Sequence, residues 1–436
     1  MNNQSDSMQY VKIRDIGKIV TGKTPPTKNK ELWDGEYPFY CIPDFKTKYI
    51  DSTEKSLSAK GIESLKNNLI PKNTIMVSCI GTVGEVGISL SEGVSNQQIN
   101  SIIVDEKKYN PEYIYYCIKT KKKQLELFAT SGSVLPIINK SDFSNFEIPI
   151  FAKNIQDKIA FSLKTIDEKI ELNQQMNENL EEIANTLFKS WFIDFDPVRA
   201  KAEGRPTGLS KEISDLFPNY FEDSELGKIP KGWKISSLEH FCESVRDGTH
   251  DSPKSSEVGE YLITTRNIVN GEIDLSNAYK ISKEDYEDVN RRSKVDQWDV
   301  LISMIGTVGE VCLVREEPKF AIKNLGLFKN RSRLHGEWLY YFLKSTYAQT
   351  HLRSNLRGTT QLYIPLGELK DFPFFCPPED ILSSFGELTS VLTDKIGHNL
   401  NENQTLSELR ETLLPKLISG ELKIPDVESL IEEASI

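Results

Sequence analysis

Gly17 to Thr24 reads GKIVTGKT and fits the phosphate-loop spacing G-x-x-x-x-G-K-[ST]. Such a loop holds phosphate only if a helix leaves it at once and presents free N–H groups. Pro25 and Pro26 follow instead, and Pro26 denies Pro25 the helical conformation. The β-branched Ile19 and Val20 stand where the chain would have to wrap tightly. The corresponding stretch later in the chain, ESVRDGTH (243–250), has no lysine. No nucleotide site is expected. GTVGEVG (81–87) lacks the spacing of a dinucleotide turn and is expected to form a tight turn between strands. Its functional counter-reading is a backbone loop lying close to phosphate.

Other chemistry is equally short of parts. Pro43-Asp44 has no D/E-x-K partner nearby. Asp194-Phe195-Asp196-Pro197 lacks the second proline and the aromatic residue of a methyltransferase loop, and no G-x-S-x-G elbow occurs. Cys41, Cys79, Cys117, Cys242, Cys312 and Cys376 form no close pair, so neither a zinc site nor a disulfide framework is expected. His240 and His250 lie in no ligand motif. The pattern favours recognition over catalysis, with no metal and no cofactor on this chain.

Recognition of nucleic acid needs cations. The net charge of −11 is spread unevenly: residues 1–150 sum to +2 and 231–376 to 0, against −5 over 151–230 and −8 over 377–436. Local basic clusters can meet phosphate while the rest of the surface repels it. The expected DNA-facing residues in the first half are Lys23, Thr24, Lys28, Lys30, Lys121, Lys122, Ser133 and Lys140. In the second half they are Lys323, Lys329, Arg331, Arg333, Arg353, Arg357 and Thr359, from a run that also holds Lys344 and a single acid, Glu337. The acidic run Glu284–Asp288 is expected to point away from DNA. A chain of 436 residues with 38% hydrophobic and 27% charged residues reads as a soluble protein of two or three domains. No apolar run reaches the roughly 20 residues of a membrane span, and the first residues carry no secretion signal. A cytoplasmic location with reduced thiols is expected.

The elements that would position these residues are written twice. IGTVGEV occurs at Ile80–Val86 and again at Ile305–Val311, 225 residues later. YIYYCIKT (113–120) answers WLYYFLKS (338–345) at the same offset. One residue further out, Gly132 matches Gly358, Phe146 matches Phe372, and Asn173, Asn177 and Leu180 match Asn399, Asn403 and Leu406. Each copy opens with about 150 residues of mixed α+β character. Strands are expected at Thr74–Ser78, Ile99–Val104 and Asp299–Met304, and one amphipathic helix per copy at Pro111–Phe128 and Gly336–Ser354. A long helix follows in each copy. In the first, Ile159, Ile166, Asn173, Leu180 and Leu187 repeat every seven residues, with Leu163, Ile170, Asn177, Ala184 and Trp191 four residues on. In the second, Phe385, Leu392, Asn399, Leu406 and Leu413 repeat likewise, with Thr389, Ile396, Asn403, Arg410 and Leu417. A seven-residue repeat keeps one seam against a partner helix, and asparagines in mid-seam at matching places predict that the two helices are each other's partner. The expected order is a first globular domain (1–150), a helix (151–197), a linker (198–227), a second globular domain (228–376), a second helix (377–423) and an acidic tail (424–436).

Four strings resemble the specificity subunits of type I restriction–modification enzymes. They are TGKTPPTKNKELWDGEYPFYCIPDF (21–45), IGTVGEVG with NQQINSI (96–102), SLKTIDEKIELNQQMNENLEEIANTLFKSWFIDFDP (162–197) and LRETLLPKLISGEL (409–422). The resemblance covers nearly the whole chain. It departs at Asn96–Gln98, opposite which the second copy has AIKNLG (321–326). The resemblance implies two target-recognition domains, each reading part of a bipartite, asymmetric site in double-stranded DNA, spaced by antiparallel helices. It further implies two modification subunits docked on those helices and restriction/translocase subunits beside them. S-adenosylmethionine, ATP and Mg chemistry would belong to those partners, and no catalytic residue to this chain. The counter-reading is a coiled-coil scaffold or antagonist that binds modification subunits without reading DNA.

Overall fold

The computed structural model describes residues 8–129 and 135–423; Ser133 and the acidic tail fall outside them. The chain forms two compact units, Met1–Leu172 with Glu402–Ile436, and Asn173–Asn401. Both long helices are therefore divided between units, where the sequence suggested domains ending at the helices.

In the first unit, Val- and Ile-rich stretches pair into a five-stranded sheet in the order Gly17–Thr21, Ile99–Val104, Ile75–Ser78, Val86–Ser89, Tyr49–Ile50. The pairings are antiparallel except the last. Ile75, Met76, Val77 and Ile102 are fully buried, which fits strands covered on both faces. A four-stranded sheet carries Ser56–Leu57, Trp33–Tyr40, Gly93–Ser95 and Leu69–Ile70. Gln9–Lys12 pairs with Glu147–Ile150, so the domain's two ends meet where the long helix begins. The expected helix after Asn110 is two helices, Pro111–Thr120 and Lys122–Ala129, broken at Lys121.

The second unit repeats the plan. Ser244–Asp247, Leu325–Lys329, Val300–Ser303 and Val311–Leu313 form a sheet in the same order as the first four strands above. Lys234–Ser237 closes on Pro373–Cys376 as the earlier pair of ends did. The expected helix at Gly336–Ser354 is again two, Arg333–Lys344 and Thr346–Ser354. Ser345 adopts an extended backbone between them, and its hydroxyl accepts the Ala348 N–H to start the next helix. The linker is folded: Asp196–Ala202 and Lys211–Leu216 are helical, Phe221–Ser224 pairs with Gly227–Pro230, and the Lys201 ammonium donates to the Ser214 carbonyl at 2.9 Å.

The long helices are Lys153–Phe188, continued by one π-helical turn at Lys189–Ile193, and Glu379–Ser419. Within each unit they run antiparallel. In the first, Ile159, Leu163 and Ile166 share a core with Leu406, Leu413 and Leu417. There Arg410 reaches Asp167 at 2.8 Å, and Asn403 donates to the Ile170 carbonyl at 3.4 Å. In the second, the Asn399 amide donates to Asn177 Oδ1 at 2.7 Å, with Asn173, Ile396 and Asn399 buried. The asparagines meet across the seam as their matching positions suggested. The strict seven-residue row does not hold to its end: Leu180 and Leu187 are half-buried, and Leu392 lies at the core's edge, while Ala184, Phe188 and Trp191 turn fully inward. A straight helix of 3.6 residues per turn drifts about 20° per heptad from a seven-residue row, which moves Leu180 and Leu187 aside.

Candidate nucleic-acid interface

In each unit three segments converge at one end of the main sheet. In the first, strand Gly17–Thr21 runs out into Gly22, Lys23 and Thr24. The Gly22 N–H donates to the Ile99 carbonyl at 3.0 Å and the Lys23 N–H to the Ser95 carbonyl at 2.8 Å. A Cβ on Gly22 would lie 2.0 Å from the Asn96 carbonyl oxygen, so the glycine serves a backbone crossing. The amides that a phosphate loop would offer are thus spent on the neighbouring chain, and no helix follows before the short turn Lys30–Leu32. Beside this crossing lie Asn96, Gln97 and Gln98. Thr24 Oγ1 donates to Gln97 Oε1, and Gln98 Nε2 to the Ile80 carbonyl at 3.4 Å. The third segment is the IGTVGEV turn, which bridges from Ile80 to Ile137.

The second unit reproduces this backbone with other side chains. The Gly248 N–H donates to the Leu325 carbonyl at 2.8 Å and the Thr249 N–H to the Ile322 carbonyl at 3.0 Å. Both turns are tied alike. The N–H groups of Ser78 and Ser303 donate to the carbonyls of Glu85 and Glu310, each at 2.9 Å, and Gly81, Gly84, Gly306 and Gly309 all have positive φ. The tight-turn expectation for GTVGEVG thus matches the structure. Gly81 and Gly306 donate to the carbonyls of Pro136 and Leu362, each at 3.0 Å. The second unit's rim consists of Thr249, His250, Lys323, Asn324 and the loop Arg357–Tyr363. His250 Nε2 faces the buried carboxylate of Asp247 at 2.9 Å, and its Nδ1 lies 2.9 Å from Asn324 Oδ1. Arg292, in the last turn of helix Lys283–Ser293, holds the other oxygen of Asp247. That helix carries the acidic run: Glu284 and Asp285 occupy its first turn, where carboxylates suit the dipole.

The sequence-derived candidates divide on these rims. Lys23, Thr24, Lys323, Arg357 and Thr359 stand on them; Arg357 is paired with Glu368 and Lys323 with Ser252. Lys140 is exposed at the start of helix Lys140–Asn145, just past the bridge at Ile137. Lys122 pairs with Glu85 in the turn itself, and Lys121 reaches over the Tyr10 ring. Lys28 and Lys30 are exposed further along the first loop, and Arg353 is exposed at the end of helix Thr346–Ser354. The run Lys323–Arg357 is not one patch. Lys323 and Lys329 lie at opposite ends of strand Leu325–Lys329. Lys329, 12% exposed, is locked between Asp296 and Asp299. Arg333 is bound to Glu337 and Asp394 at 2.7 Å and stacks over Trp298, while Lys344 holds Glu181 at 2.9 Å. Arg331 donates to the His240 carbonyl at 3.1 Å. Lys329, Arg333 and Lys344 are structural cations, a role their spacing did not disclose. Gln97 and Asn324, from strings noted only for the family resemblance, and His250, from no ligand motif, join the rim without having been candidate contacts.

Each domain is tied to helical residues of its own unit by buried charge. In the first unit Asp167 accepts from Tyr116 at 2.5 Å and pairs with Arg410 and Lys48. Burial would raise its carboxyl, but these partners together hold it below the ordinary carboxylate range. In the second, Arg315, 7% exposed, bridges Glu181 at 3.1 Å and Glu272 at 2.5 Å, and lies against the Tyr340 ring. Burial raises the Glu272 carboxyl despite Arg315. All six cysteines are unpaired. Among the described residues no three His, Cys, Asp or Glu gather as a metal site, and no helix is long and apolar enough to cross a membrane.

The comparison with known families decides the kind of site. A family model described as the type I restriction modification DNA specificity domain matches residues 5–182 and 230–402. The chain belongs to that family. Its two matches are the two copies read from the sequence, and each contains one of the rims described above. The specificity subunit of the type I restriction enzyme MjaIX of Methanocaldococcus jannaschii is 28% identical over 427 residues, covering 95% of this chain and 94% of that protein. The HindI specificity subunit of Haemophilus influenzae is 26% identical over 359 residues, covering 72% of this chain and 77% of that one. The crystal structure of the type I S subunit from M. genitalium has the same fold at a TM-score of 0.53 and 16% identity, covering 96% of this chain and 97% of that one. Membership in the specificity family assigns the chain a DNA-specificity role.

Proposed function

We propose that this specificity-family chain reads a bipartite, asymmetric site in double-stranded DNA, one half-site per domain. The observation that carries this reading is the duplicated rim: the same crossing glycine, inner strand and pinned turn appear in both units beneath different side chains. Like backbones can approach like features of the duplex, and unlike side chains then select different bases. Lys23, Lys28, Lys30 and Lys140 in one domain, and Lys323, Arg353 and Arg357 in the other, serve as sequence-independent phosphate contacts, with Thr24 and Thr359 beside them. The paired long helices dock two modification subunits. Those subunits, with restriction/translocase subunits, supply methyl transfer, ATP hydrolysis and cleavage, with S-adenosylmethionine, ATP and Mg bound there and none on this chain. The complex acts in the cytoplasm.

The test is selection from a pool of randomised duplexes by the full chain. The expected result is two short, different sequence blocks at a fixed distance. Uniform retention of all sequences would instead support a scaffold or antagonist of modification subunits.

A further inference from the structure

The two rims share one feature that neither charge nor family membership assigns: a carboxamide whose oxygen is engaged by a neighbouring side chain. In the first unit it is Gln97, held by Thr24; in the second it is Asn324, held by His250. Thr24 and His250 each lie two residues beyond the crossing glycine, Gly22 or Gly248. Gln97 and Asn324 stand just ahead of the inner strand, Ile99–Val104 or Leu325–Lys329. Resting on the DNA-reading function above, we propose that Gln97 and Asn324 are specificity-determining residues, each reading an adenine in the major groove of its half-site.

The chemistry follows from what is left free. A carboxamide oxygen has two lone pairs, so one that accepts from Thr24 Oγ1–H, or from the Nδ1–H of a His250 protonated on both ring nitrogens and also donating Nε2–H to Asp247, leaves one to accept from the adenine N6 amino group. The Nε2 of Gln97 and the Nδ2 of Asn324 have no hydrogen-bond partner among the described residues, and each can donate to adenine N7. Holding the side chain in place beforehand removes part of the ordering entropy from binding. The second rim invests most in this. Asn324 sits at φ 56°, a left-handed conformation that asparagine adopts more readily than most residues, and its N–H donates to the Thr249 carbonyl at 3.2 Å. Behind it the chain of contacts runs from His250 to buried Asp247 and on to Arg292, which fixes the imidazole although its side chain is 60% exposed. Lys23 and Lys323, next in sequence to Thr24 and Asn324, suit the neighbouring phosphates.

The experiment is selection from randomised duplexes by the full chain and by three variants. Asn324→Gly removes the carboxamide without straining the left-handed backbone. It is expected to erase the adenine preference at one base pair of one half-site, by about tenfold to a hundredfold, leaving the other half-site and the salt dependence unchanged. Gln97→Ala, on an exposed loop, is expected to do the same in the other half-site. Asn324→Asp, which presents only acceptors, is expected to move the preference from adenine to cytosine. If Asn324→Gly and Gln97→Ala return the parent preferences at every base pair, or the lost preference is for a base other than adenine, the assignment is overturned. A parent chain that selects no sequence would overturn the DNA-reading function itself, which is a separate outcome.

Discussion

Arg315 offers a quantitative check on how the second domain is held. It is 7% exposed and bridges Glu181, on the first long helix, to Glu272, on the domain's strand Glu272–Ile273. Replacing it by methionine keeps most of the side-chain volume but leaves the carboxylates of Glu181 and the partly exposed Glu272 without their shared cation, with Lys344 remaining on Glu181. Breaking a fully buried pair by removing one partner costs about 3–5 kcal/mol, because the surviving charge is uncompensated; with the Glu272 side chain 35% exposed, solvent screening brings the expected loss to about 2–3 kcal/mol. The Glu272 carboxyl already lies above its ordinary value, and losing Arg315 raises it further. An acid raised in the folded state binds protons more tightly there than in the unfolded chain, so folding gains as pH falls. The deficit of Arg315→Met is therefore expected to be largest near about pH 8 and to shrink toward about pH 4.3, the ordinary glutamate value. Arg315→Met/Glu272→Gln, which removes both charges, is expected to recover most of the loss at neutral pH. Urea denaturation followed by tryptophan fluorescence suits the test, since Trp191, Trp233, Trp298 and Trp338 fall in the second unit and only Trp33 in the first. A single variant that loses under about 1 kcal/mol, or a double variant as unstable as the single, would refute the account.

Three further outcomes are expected. Lys323→Ala should weaken DNA binding for all sequences and lower the salt slope by about 1, whereas Lys329→Ala should leave that slope alone and destabilise the second unit by uncovering Asp299; equal slopes for both would place Lys323 off the interface. Asp167, whose carboxyl lies below the ordinary range, adds stability that is present above about pH 3.9 and fades as pH falls through its folded-state value. The urea midpoint of the first unit should accordingly drop more for the parent than for Asp167→Asn between about pH 6 and about pH 3. Seven residues inserted ahead of Phe188 lengthen the first helix by about 10 Å in register with the seam. If that helix measures the site, sequenced modified sites should keep their half-sites and widen their gap by up to about three base pairs; an unchanged gap in an active complex would leave the helices a docking role only.

What the sequence revealed depended on how each feature is encoded. Asn177 and Asn399 could be read because a seam leaves a one-dimensional period and the copies align them. The IGTVGEV turns could be read because glycine is the residue that takes positive φ freely. The fate of individual cations could not. Lys323 and Lys329 look equivalent in the sequence, and only strand pairing puts one on the rim and the other between two carboxylates. His250 and Asn324 are 74 residues apart and meet through a sheet crossing that no local pattern records. The glycine of GKT was noticed for the wrong chemistry: its missing side chain makes room for a passing strand, and Gly248 repeats the arrangement without the lysine.

The second unit is one uninterrupted stretch of sequence, Asn173–Asn401, and it interrupts the first, whose later piece begins at Glu402. Leu406, Leu413, Leu417 and Ile418 complete the core that Ile13, Ile16 and Ile75 begin. During synthesis, at roughly 5–20 residues per second, the domain that leaves the ribosome first must wait tens of seconds for its last wall, while the later one can close before it. Nonsense mutations or proteolytic nicks after Asn401 would thus strike the amino-terminal domain and spare the nested one. A quality-control protease would meet a chain whose oldest part is its least finished.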